Sequence, residues 1–173
     1  MTDKRDHKSP FWAFSLDLYG RAGVPPACLT LQEISGVDVN ILLFALYAAR
    51  AGRVISVAEV AVIAAAVEDW KRCVVVPLRN VRTCLKSPPA SFASEAAQSL
   101  RNRVKALELE SERLQQEALY AQFPVSSLGA AETPGPASRA NIAAYEGLLG
   151  ALFDKPAVAA ILSAFDQITE KQS

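Results

Sequence analysis

Helix start and stop residues recur along this chain at intervals that leave little room for other secondary structure. Ser9-Pro10 reads as an N-cap followed by proline at the first helical position, where its missing N–H costs nothing. Phe11, Phe14, Leu18 and Tyr19 then recur at helical spacing to about Arg21, and Gly20 and Gly23 bracket the end. Pro25-Pro26 opens a second helix reaching about Ile34, with Gly36 as its stop. Asp38 is placed to cap a third helix, Val39 to Ala51, closed by Gly52. Ser56 and Glu59 form a capping box, each side chain satisfying the other's backbone N–H, ahead of a helix from Val57 to about Asp69.

The following stretch, Trp70 to Lys86, contains Pro77. Proline inside a helix removes a hydrogen bond and clashes with the preceding turn, so a kink or junction is predicted near Val74–Pro77. Val74-Val75-Val76 could suit a strand, but nothing in the sequence reads as its partner. Ser87-Pro88-Pro89 ends the element. The longest helix begins at Ser91 or Ser94 and runs to about Phe123. Leu100, Val104, Leu107, Ser111, Leu114, Ala118 and Ala121 alternate spacings of four and three along it, a heptad seam weakened by the serine and alanines. It suits a helix packed lengthwise on the bundle, or a self-associating coiled coil.

Residues 124–138 (PVSSLGAAETPGPAS) have the composition of a flexible linker. A last pair of helices follows, Arg139 to Phe153 and Pro156 to Lys171, with Asp154 as a cap between them. Its stripe of Ile142, Tyr145, Leu149, Leu152, Val158, Ile161, Leu162 and Phe165 needs burial, and two helices alone make a poor core. The expectation is therefore an all-α bundle of about seven to eight helices: a polar tail over 1–10, a body over 11–123, a linker over 124–138, and a hairpin over 139–171 docked on the body or on a partner.

Composition closes off several settings. The N-terminal residues lack an apolar stretch of the kind a secretory leader carries. The longest charge-free apolar run, Ile41 to Ala49, falls well short of the ~20 residues of a spanning helix, so no membrane insertion and a cytoplasmic location are expected. The three cysteines, Cys28, Cys73 and Cys84, lack the spacing of a disulfide framework or a thiolate metal site. The single histidine, His7, lies in the charged tail, away from any helix. No GxGxxG or GxxxxGK[ST] occurs, and no ExxH suited to a carboxylate metal centre. No metal and no cofactor is expected, and the reading leans away from catalysis.

Two constellations remain. The first is Gln32, Glu33, Asp38 and Asn40, where the second helix meets the third. Asn40 opens an apolar run that must be buried, so it needs hydrogen-bond partners. Either these groups satisfy backbone at a helix crossing, or they line a pocket walled by Trp12 and Tyr19. The second is Arg72, Arg79, Arg82 and Lys86, at spacings that share one helical face subject to the kink at Pro77, with Trp70 nearby. The formal net charge is zero, but it hides a dipole: eight basic against three acidic residues from Glu68 to Lys105, then one arginine against four glutamates from Ala106 to Phe123. The basic residues either pair with Glu108, Glu110 and Glu112 across the bundle or form a site for an anionic ligand. Few aromatics are interleaved with them, which argues against nucleic acid.

FWAFSLDLYGRAGVPPACLTLQEISGVDVNILLFALY, followed by Trp70, Val74, Val75, Pro77, Leu78, Arg79, Arg82, Leu85 and Lys86, resembles a family of small proteobacterial proteins classed as a domain of unknown function. The resemblance covers Phe11 to Lys86, about the first half of the chain. It departs from the family pattern at Tyr47, where a tryptophan is expected, and at Thr83, where a basic residue is expected. The resemblance implies a bacterial cytoplasmic protein and carries no activity. The heptad seam, the linker and the appended hairpin together favour a non-enzymatic protein working through contacts with another protein or itself. An anion-binding module and a small enzyme using Asp38, Asn40 and Gln32 stand as the alternatives.

Overall fold

The computed structural model describes residues 9–170; His7, most of the expected polar tail and Lys171 lie outside them. Eight α-helical segments follow one another: α1 (Pro10–Tyr19), α2 (Val24–Ser35), α3 (Val39–Arg50), α4 (Val57–Trp70), α5 (Val76–Cys84), α6 (Ser94–Gln122), α7 (Pro134–Leu149) and α8 (Lys155–Glu170). A π-helical turn, Lys71–Val75, joins α4 to α5 without a break, so the segments make seven rods. The fold is an all-α bundle.

The caps act as the sequence indicated. Ser9 Oγ accepts from Trp12 N at 3.1 Å, Asp38 Oδ1 from Asn40 N at 2.9 Å, and Asp154 Oδ1 from Ala157 N at 2.9 Å. The Ser56–Glu59 capping box is complete. The disturbance expected near Pro77 falls just before it, as the π turn, in which Val76 N bonds back to Lys71 O. Widening the ladder by one residue lets a proline enter without the clash of a regular turn.

α3 is the axis of the molecule. Ile41, Leu42, Leu43, Phe44, Ala45, Leu46, Ala48 and Ala49 are all buried, so this helix is apolar on every side and must be surrounded. α1, α4, α6 and α7 surround it, and α8 lies against α2. Phe11, Phe14, Phe44, Tyr47, Phe123 and Phe165 form a connected aromatic cluster with ring centroids 5.2 to 6.4 Å apart. Most of the terminal hairpin's stripe packs on this body: Ile142, Tyr145, Ile161 and Phe165 are core residues and Leu149, Val158 and Leu162 are partly buried, but Leu152, at the turn between the helices, is 89% exposed. On α6, Val104 and Ser111 of the heptad seam are buried, whereas Leu100, Leu107 and Leu114 stay exposed.

The segment read as a flexible linker is instead tied down, because its backbone groups have specific partners. Ala130–Ala131 (β2) pairs antiparallel with Arg53–Val54 (β1), two strands too short to carry a strand pattern. Glu132 N donates to Gly52 O at 2.9 Å, and Arg53 Nη2 to Gly129 O at 2.7 Å. Glu59, already in the capping box, accepts from Gly129 N with its other oxygen at 2.7 Å. The approach is so close that a Cβ on Gly129 would lie 1.7 Å from Val54 O. α7 then begins at Pro134, five residues earlier than expected.

One polar residue fastens this crossover to the core. Asn141 on α7 is fully buried; its amide donates to Ala45 O and Arg53 O, each at 2.9 Å, and its oxygen accepts from Ile55 N at 2.8 Å. Replacing it with leucine strands the Ile55 N–H and two carbonyls. Asn141→Leu is expected to cost about 3 kcal/mol in urea unfolding, from penalties of about 1–3 kcal/mol per orphaned group.

Candidate functional site

The polar start of α3 faces the middle of α6. Asn40 Nδ2 donates to Gln115 Oε1 at 3.2 Å, Gln116 Nε2 to Asn40 Oδ1 at 2.8 Å, and Gln115 Nε2 to Asp38 Oδ2 at 3.0 Å. Asp38 N in turn donates to the Tyr145 hydroxyl at 2.9 Å, and burial raises the pKa of that phenol. The asparagine that opens an apolar run is thus satisfied by two glutamines seventy-five and seventy-six residues further along the chain.

Beside this network lies a cavity of about 350 Å³. α1 supplies Trp12, Ser15, Leu16 and Tyr19, and α2 supplies Leu29 and Gln32. Val39, Asn40 and Leu43 come from α3, Arg79 and Arg82 from α5, and Lys105, Glu108, Leu109, Glu112 and Gln116 from α6. Its volume is at the low end for small-ligand pockets, about 300–1,000 Å³. The apolar lining is mostly leucine; the polar side chains gather along the α5–α6 wall.

That wall is an ion-pair network. Arg79 Nε donates to Glu108 at 3.2 Å, Nη1 to Gln32 Oε1 at 2.7 Å, and Nη2 to Glu112 at 2.9 Å. Arg82 engages both oxygens of Glu108, through Nε and Nη2. The two carboxyls respond in opposite directions. Burial pushes Glu108 up, but the bonds from Arg82 and Arg79 outweigh it and hold its pKa below the ordinary value. Glu112 is raised, chiefly by burial; its single contact with Arg79 does not compensate, and Glu108 and Asp38 repel its charge. Tyr19, at the cavity wall, is raised by burial and by the neighbouring Cys28 and Glu112. Lys105 lies on the same lining with an exposed side chain, leaving the lining one positive charge in excess.

Three polar atoms on the cavity's residues, two on α1 and one on α6, have no partner. Trp12 Nε1, Ser15 Oγ and Gln116 Oε1 are buried and make no hydrogen bond, three of the four such side-chain atoms among the described residues. Their residues are at most 6% exposed. Each orphan costs about 1–3 kcal/mol, which makes their gathering on one cavity's residues notable.

The two constellations of the sequence therefore meet at one place. Trp12, Tyr19, Gln32 and Asn40 line the cavity, as do Arg79 and Arg82. Asp38 lies just behind, on a smaller cavity of about 90 Å³ that shares Gln32, Arg79 and Glu112 with the first. Four residues do not join them. Glu33 is exposed on α2 and lines neither cavity. Arg72 points to solvent and pairs with Asp69 at 2.9 Å. Trp70 spends its Nε1–H on Ser111 O at 2.9 Å. Lys86 follows the end of α5 and is exposed. The supposed common face fails because the π turn adds a residue between Arg72 and Arg79, and one extra residue rotates a helix by about 100°. Glu110 also turns away, to Arg113 at 2.7 Å. Ser15, Lys105 and Gln116 were missed; the adjacent glutamines 115 and 116 inside an otherwise amphipathic helix were the one available hint.

Among the described residues no group of three or more His, Cys, Asp or Glu could hold a metal ion, and no helix is long and apolar enough to cross a membrane. Cys28 is buried, its thiol pushed up to about 12, while Cys73 and Cys84 are exposed and unpaired with each other.

Fold and site define an α-helical bundle with an ion-walled cavity, open to solvent, between α1, α2, α3, α5 and α6. Residues 10–119 match the family described as "Protein of unknown function (DUF2390)", and the chain belongs to that family. The match spans α1 to most of α6, every element that lines the cavity. No curated protein and no solved structure matches the chain.

The opposed carboxyl shifts make the two glutamates separable. The lowered pKa of Glu108 contributes stability above the ordinary carboxyl range, lost as pH falls through it. The raised pKa of Glu112 works the other way, its ionisation costing stability as pH rises. At neutral pH, Glu108→Gln is expected to destabilise by about 2 kcal/mol, with part-buried Arg82 losing both its bonds to the carboxylate and Arg79 keeping only Glu112 and Gln32. Glu112→Gln is expected to be neutral or stabilising. Thermal melts of the two variants compared across pH check both signs.

Proposed function

We propose that this protein is a non-catalytic binding module for a small organic anion with an apolar body, held in the ion-walled cavity between α1 and α6. The observation that carries this reading is the pairing of a wall with net positive charge (Arg79, Arg82 and Lys105 against Glu108 and Glu112) with a leucine-rich lining and three buried, unpartnered polar atoms, two on α1 and one on α6. An acidic head group would be drawn to Arg79 and Lys105 and would compete with Glu112 for the Arg79 guanidinium. Glu112 is the weaker internal partner, since burial raises its pKa and it holds one bond to Arg79 where Glu108 is gripped by two arginines. The apolar body would lie on Leu16, Leu29, Leu43 and Leu109. A hydroxyl or amide on it could meet Trp12 Nε1, Ser15 Oγ or Gln116 Oε1 after small side-chain rotations. No side chain of the lining combines a base with a nucleophile in hydrogen-bond reach, so binding rather than turnover is the reading.

Octanoate, octanol and octylammonium share a tail and differ in head charge, and each can be titrated against the Trp70→Phe variant, in which Trp12 alone reports. Octanoate is expected to shift Trp12 emission and raise the melting temperature, octanol to do so weakly, and octylammonium not at all. Lys105→Ala is expected to weaken octanoate about fivefold, the effect of roughly 1 kcal/mol. Binding should strengthen as pH falls from alkaline values toward the raised Glu112 pKa, because protonated Glu112 releases Arg79; Glu112→Gln should flatten that dependence. A folded protein that treats the three heads alike, or binds none at low salt, rules the proposal out.

A further inference from the structure

The outer side of α6 carries a pattern that its cavity side does not explain. Leu100, Leu107 and Leu114 are 45%, 57% and 43% exposed, at intervals of seven residues. Between them fall Arg103 and Glu110, the latter half exposed and paired on its own helix with Arg113, with which a second copy's Arg103 would share it. These five residues lie within about 80° of one another around the helix, one stripe about 21 Å long at 1.5 Å rise per residue. In order it reads Leu, Arg, Leu, Glu, Leu, and it is self-complementary only in the antiparallel sense. Turned end for end about Leu107, it sets Leu100 against Leu114 of a second copy, Leu107 against Leu107, and Arg103 beside Glu110. A parallel, in-register pair would set arginine on arginine and glutamate on glutamate, which repel.

We infer that the exposed face of α6 is a two-fold, antiparallel contact between two copies of this chain, with Leu107 on the axis. A two-fold contact uses the same patch on both partners, and a charge palindrome around a central leucine meets that requirement. Three leucines and the stems of two charged residues cover less than the roughly 800 Å² per partner of a standard interface, so the dimer is weak and concentration-dependent. The contact leaves the cavity free, because Lys105, Glu108, Leu109, Glu112 and Gln116 lie on other sides of the helix.

Sedimentation equilibrium of the full chain across the micromolar range tests this. The protein should show a reversible monomer–dimer equilibrium, and Leu107→Glu, which sets two carboxylates on the axis, should abolish it. Arg103→Glu alone and Glu110→Arg alone should each weaken the dimer roughly tenfold, since each places two like-charge pairs in the contact. The double variant Arg103→Glu/Glu110→Arg should restore it, with circular dichroism confirming that every variant is folded. A wild-type protein that stays monomeric throughout overturns the inference, as does a dimer insensitive to Leu107→Glu. Failure of the double swap to recover association overturns the antiparallel register.

Discussion

A helix with no polar side cannot face water anywhere, and α3 is such a helix. Eight of its twelve residues are buried apolar side chains, so the remaining elements are obliged to enclose it. That requirement explains why the chain does not stop at a four-helix body. α1, α4 and α6 cover part of α3, and the remaining face is closed by α7, which arrives only after a long excursion. The terminal hairpin is therefore a wall of the core. Asn141 makes the closure specific: leucine there would serve hydrophobic burial equally well, but only the amide can bind α3, β1 and the start of the α4 cap region together.

The same helix explains the location of the cavity. Apart from Tyr47 and Arg50 toward its end, α3 carries its polar side chain in the first turn, where Asn40 follows the capping Asp38. Once Asn40 is buried, it must be met by groups that can both donate and accept, and Gln115 and Gln116 do so. Two amides occupying the centre of α6 prevent tight apolar packing there. Beside them α5 meets α6 through Arg79 and Arg82, which pair with Glu108 and Glu112. The ion pairs at this wall are a costly way to gain stability, because the desolvation they demand offsets most of their attraction. Their placement on a cavity, with one carboxyl held low and the other raised, is the arrangement on which the proposed anion binding rests.

Much of this was legible in the sequence, and the limits have physical causes. Caps are local: Ser9, Asp38, Ser56 with Glu59, and Asp154 each act within three residues, so each could be read from its neighbours. The proline junction was equally local. Asn40 and Gln32 stood out as polar groups needing partners, Arg79 and Arg82 as part of one basic face, and Trp12 and Tyr19 as walls for a pocket, yet their meeting at one cavity depends on α1, α2, α3, α5 and α6 converging, which no spacing within one helix reports. Arg72 failed for a subtler reason. Helical phase is conserved only while the hydrogen-bond ladder is regular, and the π turn resets it between Arg72 and Arg79.

Residues 124–138 show the same limit from the other side. Composition rich in proline, glycine and serine means that a segment supplies little order of its own; it does not mean that order is absent. Here order is supplied from outside, by Arg53 and Glu59, two charged side chains that each do a local job and reach one step beyond it. A carboxylate has two oxygens, and a capping box needs only one of them for the backbone. Glu59 uses the other to hold Gly129, where no side chain could fit against Val54. Its lowered pKa, set first by the Ser56 backbone bond and then by that of Gly129, reflects both attachments. The crossover to α7, and with it the last wall around α3, thus depends on a residue whose sequence context advertises only the start of a helix.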